Sequence, residues 1–334
     1  MAQVLCKHLS TMRRYSDLLL TALTAVLIRD LPLLQCARAS RDVRHNVTCT
    51  TVRIDSLRDP VSLGFYREAR VCYPDISENE TFPLHLFAHG DGAGGALFDV
   101  SYGGLQQQLA SFGFVVPAYL SCWIDSECYN GESDFLEALK TIEYLEQHPL
   151  LAPIDFSKPY TVSGHSTGAR VALMLAAIRD APMYLNGTRF ASGITMSMRR
   201  ILSQTVAFVG DHTDPMNDPK QNPDIQHYDI SKSPVFLITG TKDTTEPMNS
   251  SWHNFRQIST PDKIHVNFRG YSHYEPNEQH REGPLIAYFC RYYALGDVEA
   301  RDRIYGDSSD SLVNSNLIAS LGAINNGEAD IPFL

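Results

Sequence analysis

The chain has no apolar run of the roughly 18 residues that a membrane-spanning helix needs. The longest, Leu18 to Ile28, holds two threonines and ends at Arg29-Asp30. Positive charge is also scarce: 28 Lys and Arg face 38 Asp and Glu, a net charge of −10. An acidic surface repels phosphate backbones, which excludes nucleic acid as the main partner. No G-x-x-x-x-G-K-[ST] occurs, so the glycine-rich segment 90–95 is set aside as a phosphate cradle. The aspartates at 211, 214, 218 and 224 lack calcium-loop spacing, and no metal signature is present. There is no internal repeat and no linker that would split the chain. What is there is 334 residues, 43% hydrophobic and 20% charged, enough to fill one substantial core.

Lys7, Arg13 and Arg14, the apolar stretch 18–28 and Ala37-Arg38-Ala39 resemble the three regions of a signal peptide. Residues 1–45 are therefore expected to be a leader, with a transit segment as the alternative. Sequons stand at Asn46, Asn79, Asn186 and Asn249, where chance alone gives roughly two. Both features point to a secreted protein; a plastid or cytoplasmic location is the alternative. Segments 48–55 and 66–73 read as strands with a turn at Asp59-Pro60 between them. A hairpin centred between 60 and 61 would set Cys49 opposite Cys72, close enough for a disulfide. Cys122 and Cys128 are a second candidate pair. Buried free thiols are the competing reading for all seven cysteines, which also include Cys6, Cys36 and Cys290.

From residue 80 onward strands and helices alternate, which predicts an α/β fold with a mostly parallel central sheet and helices on both faces. Strands are expected at 84–88, 114–120, 160–163, 205–209, 235–239 and 264–268. Pro117 suggests a bulge or an edge in the second of these. Helices are expected at 135–145, 169–178 and near 284–294. One domain is expected to span 46–302, followed by a polar tail, 303–334, that wraps the surface or stays mobile.

Between the strand at 160–163 and the next helix stands Gly164-His165-Ser166-Thr167-Gly168. This is G-x-S-x-G, the nucleophile elbow, expected by chance only about 0.1 times in such a chain. Its glycines leave room for a turn so tight that a Cβ would collide, and the turn presents Ser166 before a helix N-terminus. A serine hydroxyl needs a base and an orienting acid. Asp243 follows the strand at 235–239, and His273 follows the strand at 264–268, in the order serine, acid, histidine. Asp211, Asp214, Asp218 and Asp224 compete for the acid; His265 and His280 are poorer bases by position. Thr167 and Asp91 are expected to supply oxyanion N–H groups, with Gly92 in reserve. Gly92, His165 and Trp123 are placed as substrate contacts, Trp123 alongside Tyr129.

With these residues in view, 48–306 resembles the α/β-hydrolase superfamily. It is most similar to the lid-less branch of dienelactone-hydrolase-like, cutinase-like and polyethylene-terephthalate-hydrolase-like esterases, with chlorophyllases nearby. The pieces that carry the resemblance are His89-Gly90, the elbow, Asp243 with Pro247, Ser272-His273-Tyr274, and Tyr288-Phe289 to Leu295-Gly296-Asp297. It implies hydrolysis of a small-molecule or polymeric carboxylic ester by a monomer, through an acyl-enzyme and without a cofactor. Two departures bear on the substrate. Polyester hydrolases of the group carry aromatic residues where this chain has Asp91 and Asp211, and chlorophyllases carry Arg-Gly where it has Thr167-Gly168. Segment 211–233 is polar with no helical stripe, so no large cap domain is expected and the site should be open. The alternatives are a chlorophyllase-like or lipid (phospholipid or acyl) esterase, a peptidase or thioesterase on the same fold, and a binding protein that keeps the fold without turnover.

Overall fold

A computed structural model describes residues 44–54, 67–75, 80–90, 93–120, 131–149, 151–178, 183–185, 188–190, 205–208, 230, 233–278, 280–307, 311–312, 318–325 and 328–331. In chain order the first elements are β1 (Val47–Ile54), β2 (Arg67–Pro74), β3 (His85–Ala88), α1 (Phe98–Ser111), β4 (Val116–Tyr119), α2 (Gly131–Gln147), β5 (Thr161–Gly164) and α3 (Thr167–Ile178). A short hairpin follows, β6 (Met183–Leu185) with β7 (Thr188–Phe190), then β8 (Thr205–Phe208), β9 (Val235–Gly240), α4 (Met248–Gln257) and β10 (Lys263–Phe268). The last elements are α5 (Glu275–Glu278), α6 (Gly283–Leu295), α7 (Val298–Tyr305), β11 (Ile318–Asn325) and β12 (Glu328–Ile331).

Side-chain alternation decides the two faces. In β9, Val235 and Leu237 join one apolar cluster whereas Phe236 and Ile238 join the other, because successive strand residues point to opposite sides. The first cluster is covered by α2 and α3, through Phe135, Ile142, Val171 and Leu175. The second is covered by α1 and α6, through Phe98, Leu105, Ile286 and Phe289. Helices therefore clothe both faces of a mixed, centrally parallel array. One sheet has the order β1-β2-β4-β3-β5 and the other β12-β11-β10-β9-β8. β5 packs beside β8, so the parallel strands β4, β3 and β5 adjoin the parallel strands β8, β9 and β10. The outer strands β1, β2, β11 and β12 run antiparallel to their neighbours.

Each expected strand and helix has a counterpart within a few residues at its ends. Pro117 is a correction: β4 is no edge strand but lies between β2 and β3. A proline has no N–H to give to a ladder. The consequence is visible on the β3 side, where Phe87↔Ala118 is the one strand pair and Leu84↔Val115 is an isolated bridge beyond the proline. Within 303–334, read from composition as a tail, α7 ends and two strands extend the second sheet alongside β10. The stretch Ile318–Asn325, IASLGAIN, carries enough apolar residues for a strand despite its polar flanks. Residues 1–43 of the leader, segment 209–229 and the Cys122/Cys128 pair lie outside the described residues. No helix among the described residues is long and apolar enough to cross a membrane.

β1 and β2 pair in the register expected, with Cys49 opposite Cys72. The two form a disulfide with Cα atoms 4.0 Å apart and a sequence separation of 23. Closing a loop of this size should contribute about 3 kcal/mol by restricting the unfolded chain. The Cys49→Ser/Cys72→Ser double variant is expected to lose about that amount in urea denaturation at pH 7. Cys290 is a buried free thiol, and burial pushes its pKa up, away from reactivity.

Candidate active site

Ser166 sits where β5 turns into α3, with φ at 57°, one of two non-glycine residues at positive φ among those described. A left-handed serine costs energy and persists only when its surroundings impose it. Here they do. A Cβ on Gly164 would collide with the backbone of Gly168, and one on Gly168 would collide with the carbonyl of Ala88 at the end of β3. The glycine spacing of the elbow is thus a packing requirement, and its product is a half-buried serine facing away from the strand. Thr167 opens α3, and the next two N–H groups, of Gly168 and Ala169, donate to the carbonyls of His165 and Ser166, both at 2.9 Å. The positive end of the helix dipole favours negative charge beside Ser166.

Asp243 lies in the turn after β9. Its Oδ1 accepts hydrogen bonds from the N–H of Thr245 (3.0 Å) and of Glu246 (2.8 Å), leaving Oδ2 to face His273 Nδ1 at 3.0 Å. The other ring nitrogen of His273, Nε2, is 3.2 Å from Ser166 Oγ. With the carboxylate as acceptor, Nδ1 carries the hydrogen and Nε2 presents its lone pair to the hydroxyl. Three side chains far apart in sequence therefore form one hydrogen-bonded series, with Asp243 and His273 buried. The competing histidines are elsewhere. His265 is packed on β10 against Trp252 and Phe255, and His280 bonds through Nδ1 to the Pro276 carbonyl at 2.5 Å. The competing aspartates 211, 214, 218 and 224 lie outside the described residues.

His165, expected as a substrate contact, has a buried side chain with both ring nitrogens engaged inside the protein. Nε2 lies 2.7 Å from the His273 carbonyl and Nδ1 lies 2.6 Å from the Tyr102 hydroxyl. Burial, aided by the neighbouring His273, holds its pKa down at about 3. Sequence reasoning missed Tyr102 altogether, since nothing linear ties a helix tyrosine to position 165. Tyr274 stands 59% exposed with its ring edge-on to His273 at 5.6 Å. That places an aromatic surface beside His273.

The loop after β3 also reaches the serine. A Cβ on Gly90 would fall 3.1 Å from Ser166 Cβ. Asp91, Gly92 and Trp123 lie outside the described residues. The segment 90–95 does spell G-x-G-x-x-G, the dinucleotide pattern. That motif needs backbone N–H groups free to approach a pyrophosphate, whereas Gly90 donates its N–H to the Tyr102 hydroxyl at 3.1 Å. That engagement argues against a phosphate cradle.

A cavity behind the histidine is lined by His165, Asp243, Tyr271, His273, Glu275 and Glu282. Glu282 is buried, and neither carboxylate oxygen has a hydrogen-bond partner among the described residues. Burial, with Glu275 nearby and Arg281 partly offsetting it, raises its pKa to about 8. Glu282 is therefore mostly neutral at pH 7 and adds little charge behind the triad. Among the described residues there is no cluster of three or more His, Cys, Asp or Glu able to hold a metal. The arrangement can do what a positioned hydroxyl, base and carboxylate do, namely activate an oxygen nucleophile. Among known proteins, no family model matches the chain and no curated relative matches it, so the chemistry assigned to this site rests on its own geometry.

Proposed function

We propose that this chain is a serine hydrolase on an α/β-hydrolase fold of the lid-less, cutinase-like kind, cleaving carboxylic esters through an acyl-enzyme. The observation that carries the reading is the series Asp243–His273–Ser166, at 3.0 and 3.2 Å, with a positive-φ serine set between β5 and α3. The strand order, with antiparallel outer strands around a parallel centre, supports the fold assignment. Ser166 Oγ attacks the ester carbonyl as His273 Nε2 takes its proton. Asp243 keeps the imidazole oriented and stabilises the imidazolium. The oxyanion is received by the Thr167 N–H and by an N–H of the 90–92 loop, assigned to Asp91. Each such donor is worth about 3 kcal/mol of barrier. His273 then gives its proton to the leaving alcohol, and water repeats the sequence to release the acid. No step requires a cofactor.

The polar 211–233 segment supports an open site suited to bulky or extended esters. The disulfide Cys49–Cys72 and the exposed sequon residue Asn46 support secretion. A panel of p-nitrophenyl esters from acetate to palmitate tests the assignment. The expected result is turnover greatest for short to medium chains and no jump in rate when substrate becomes micellar. Turnover confined to palmitate would favour the lipid-esterase reading, and no turnover of any ester would overturn ester hydrolysis.

A further inference from the structure

We propose that Tyr102 and His165 are positioning residues, forming a buried hydrogen-bonded strut that ties the loop after β3 to the backbone of His273 and holds its imidazole on Ser166. The proposal rests on the serine-hydrolase reading and adds two residues to it. Chemistry dictates the direction of every link. The His273 carbonyl can only accept, so His165 Nε2, 2.7 Å away, must carry the hydrogen. A buried imidazole that resists protonation has one N–H, so Nδ1 must accept. The Tyr102 hydroxyl, 2.6 Å from Nδ1, therefore donates to it, and its oxygen accepts the Gly90 N–H at 3.1 Å. The path runs Gly90 N–H to Tyr102 O–H to His165 Nδ1, then His165 Nε2–H to the His273 carbonyl.

Both ends of this path are at the reacting centre. Gly90 passes beside Ser166, and the far end is the main chain of the base itself. The rings of His165 and His273 also pack, with centroids 4.8 Å apart and planes at 46°. His273 belongs to a turn outside any strand or helix, so its backbone is not held by a ladder. Its carbonyl is anchored by His165, which sits next to the nucleophile in sequence and moves with the elbow. Serine, base and oxyanion loop are thereby referred to one rigid object. The Gly90 N–H is also occupied by Tyr102, which leaves oxyanion donation to residues after it.

The test uses the full chain, with the concentration of competent sites titrated by a fluorophosphonate and kcat expressed per titrated site. Tyr102→Phe keeps the ring, which packs on Phe87 and Phe98, and removes only the hydroxyl. It is expected to lower kcat for p-nitrophenyl butyrate by about 10- to 100-fold with KM within about twofold, as a misplaced base does. His165→Leu should cost at least as much, and the Tyr102→Phe/His165→Leu double variant should cost no more than His165→Leu alone, because the two act through one path. His165→Gln, which can still donate to the carbonyl and accept from the tyrosine, should recover most of the rate lost in His165→Leu. A kcat per titrated site equal to wild type in Tyr102→Phe and His165→Leu would overturn the strut, as would losses that simply multiply. A wild type that takes no label and turns over no ester is a different failure, that of the hydrolase reading itself.

Discussion

Asp243→Asn should lower kcat for a p-nitrophenyl ester by about 10⁴-fold while the protein stays folded and KM changes little. The reason lies in how the carboxylate is divided. Oδ1 takes two backbone N–H groups, from Thr245 and Glu246, and an asparagine carbonyl can keep both. The amide NH₂ would then replace Oδ2 and face His273 Nδ1. Two donors cannot share that contact, so the imidazole must adopt the opposite tautomer, with its hydrogen on Nε2 toward Ser166. A ring in that state cannot take the serine proton. Steady-state kinetics with circular dichroism on the same sample checks both halves of the expectation. A loss below about tenfold would mean that Asp243 neither sets the tautomer nor stabilises the imidazolium.

The largest expected effect on stability is acid sensitivity. His85, His165 and His265 are all buried, and burial holds each pKa down at about 3 against the ordinary 6.5. His85 is wedged between the Thr161 hydroxyl (2.8 Å) and the Ser163 hydroxyl (2.7 Å) beneath the elbow. In the folded protein these rings stay neutral, whereas in the unfolded chain they take up protons once the pH drops below about 6.5. The unfolded state then binds more protons, so stability is intact above that value and is lost as pH falls from there toward 3. At pH 5 each ring should cost on the order of 2 kcal/mol. Three together amount to roughly 6 kcal/mol, and Glu282, whose carboxyl is raised to about 8 in the fold against 4.5, gains roughly 3 kcal/mol over the same fall in pH, so a net loss of roughly 3 kcal/mol remains, a large share of an ordinary domain's stability. Urea denaturation at steps from pH 7.5 to 4.5 should show the midpoint rising slightly at first and then falling. A midpoint unchanged down to pH 5 would contradict the buried, neutral state of these histidines.

Parts of the molecule were legible in the sequence because they answer to local rules. The elbow was legible because Gly164 and Gly168 are spaced by steric necessity. Cys49 and Cys72 could be matched because one hairpin centre sets every pair in an antiparallel ladder. Asp243 and His273 stood out because each follows an apolar run at the end where parallel strands deliver their loops. Other parts answer to distance in space. α1 was not foreseen: its pair Gly103-Gly104 and the three glutamines 106–108 dilute the apolar stripe, and its burial comes from packing on β2, β4 and α6. Pro117 was misjudged because propensity says nothing of which neighbour a missing N–H would face. Position 165 looked like a substrate contact because it adjoins the nucleophile. Its role as a strut depends on Tyr102, 63 residues away, and on the carbonyl of His273, 108 residues away.

The central claim is that Ser166 is a nucleophile activated by His273 and Asp243, and labelling with a fluorophosphonate followed by peptide mapping tests it most directly. The account predicts one label per chain, on Ser166, forming rapidly in the wild type, at least a thousandfold more slowly in His273→Ala, and not at all in Ser166→Ala. A folded wild type that takes no label, or that is labelled equally well without the Ser166 hydroxyl, would contradict it.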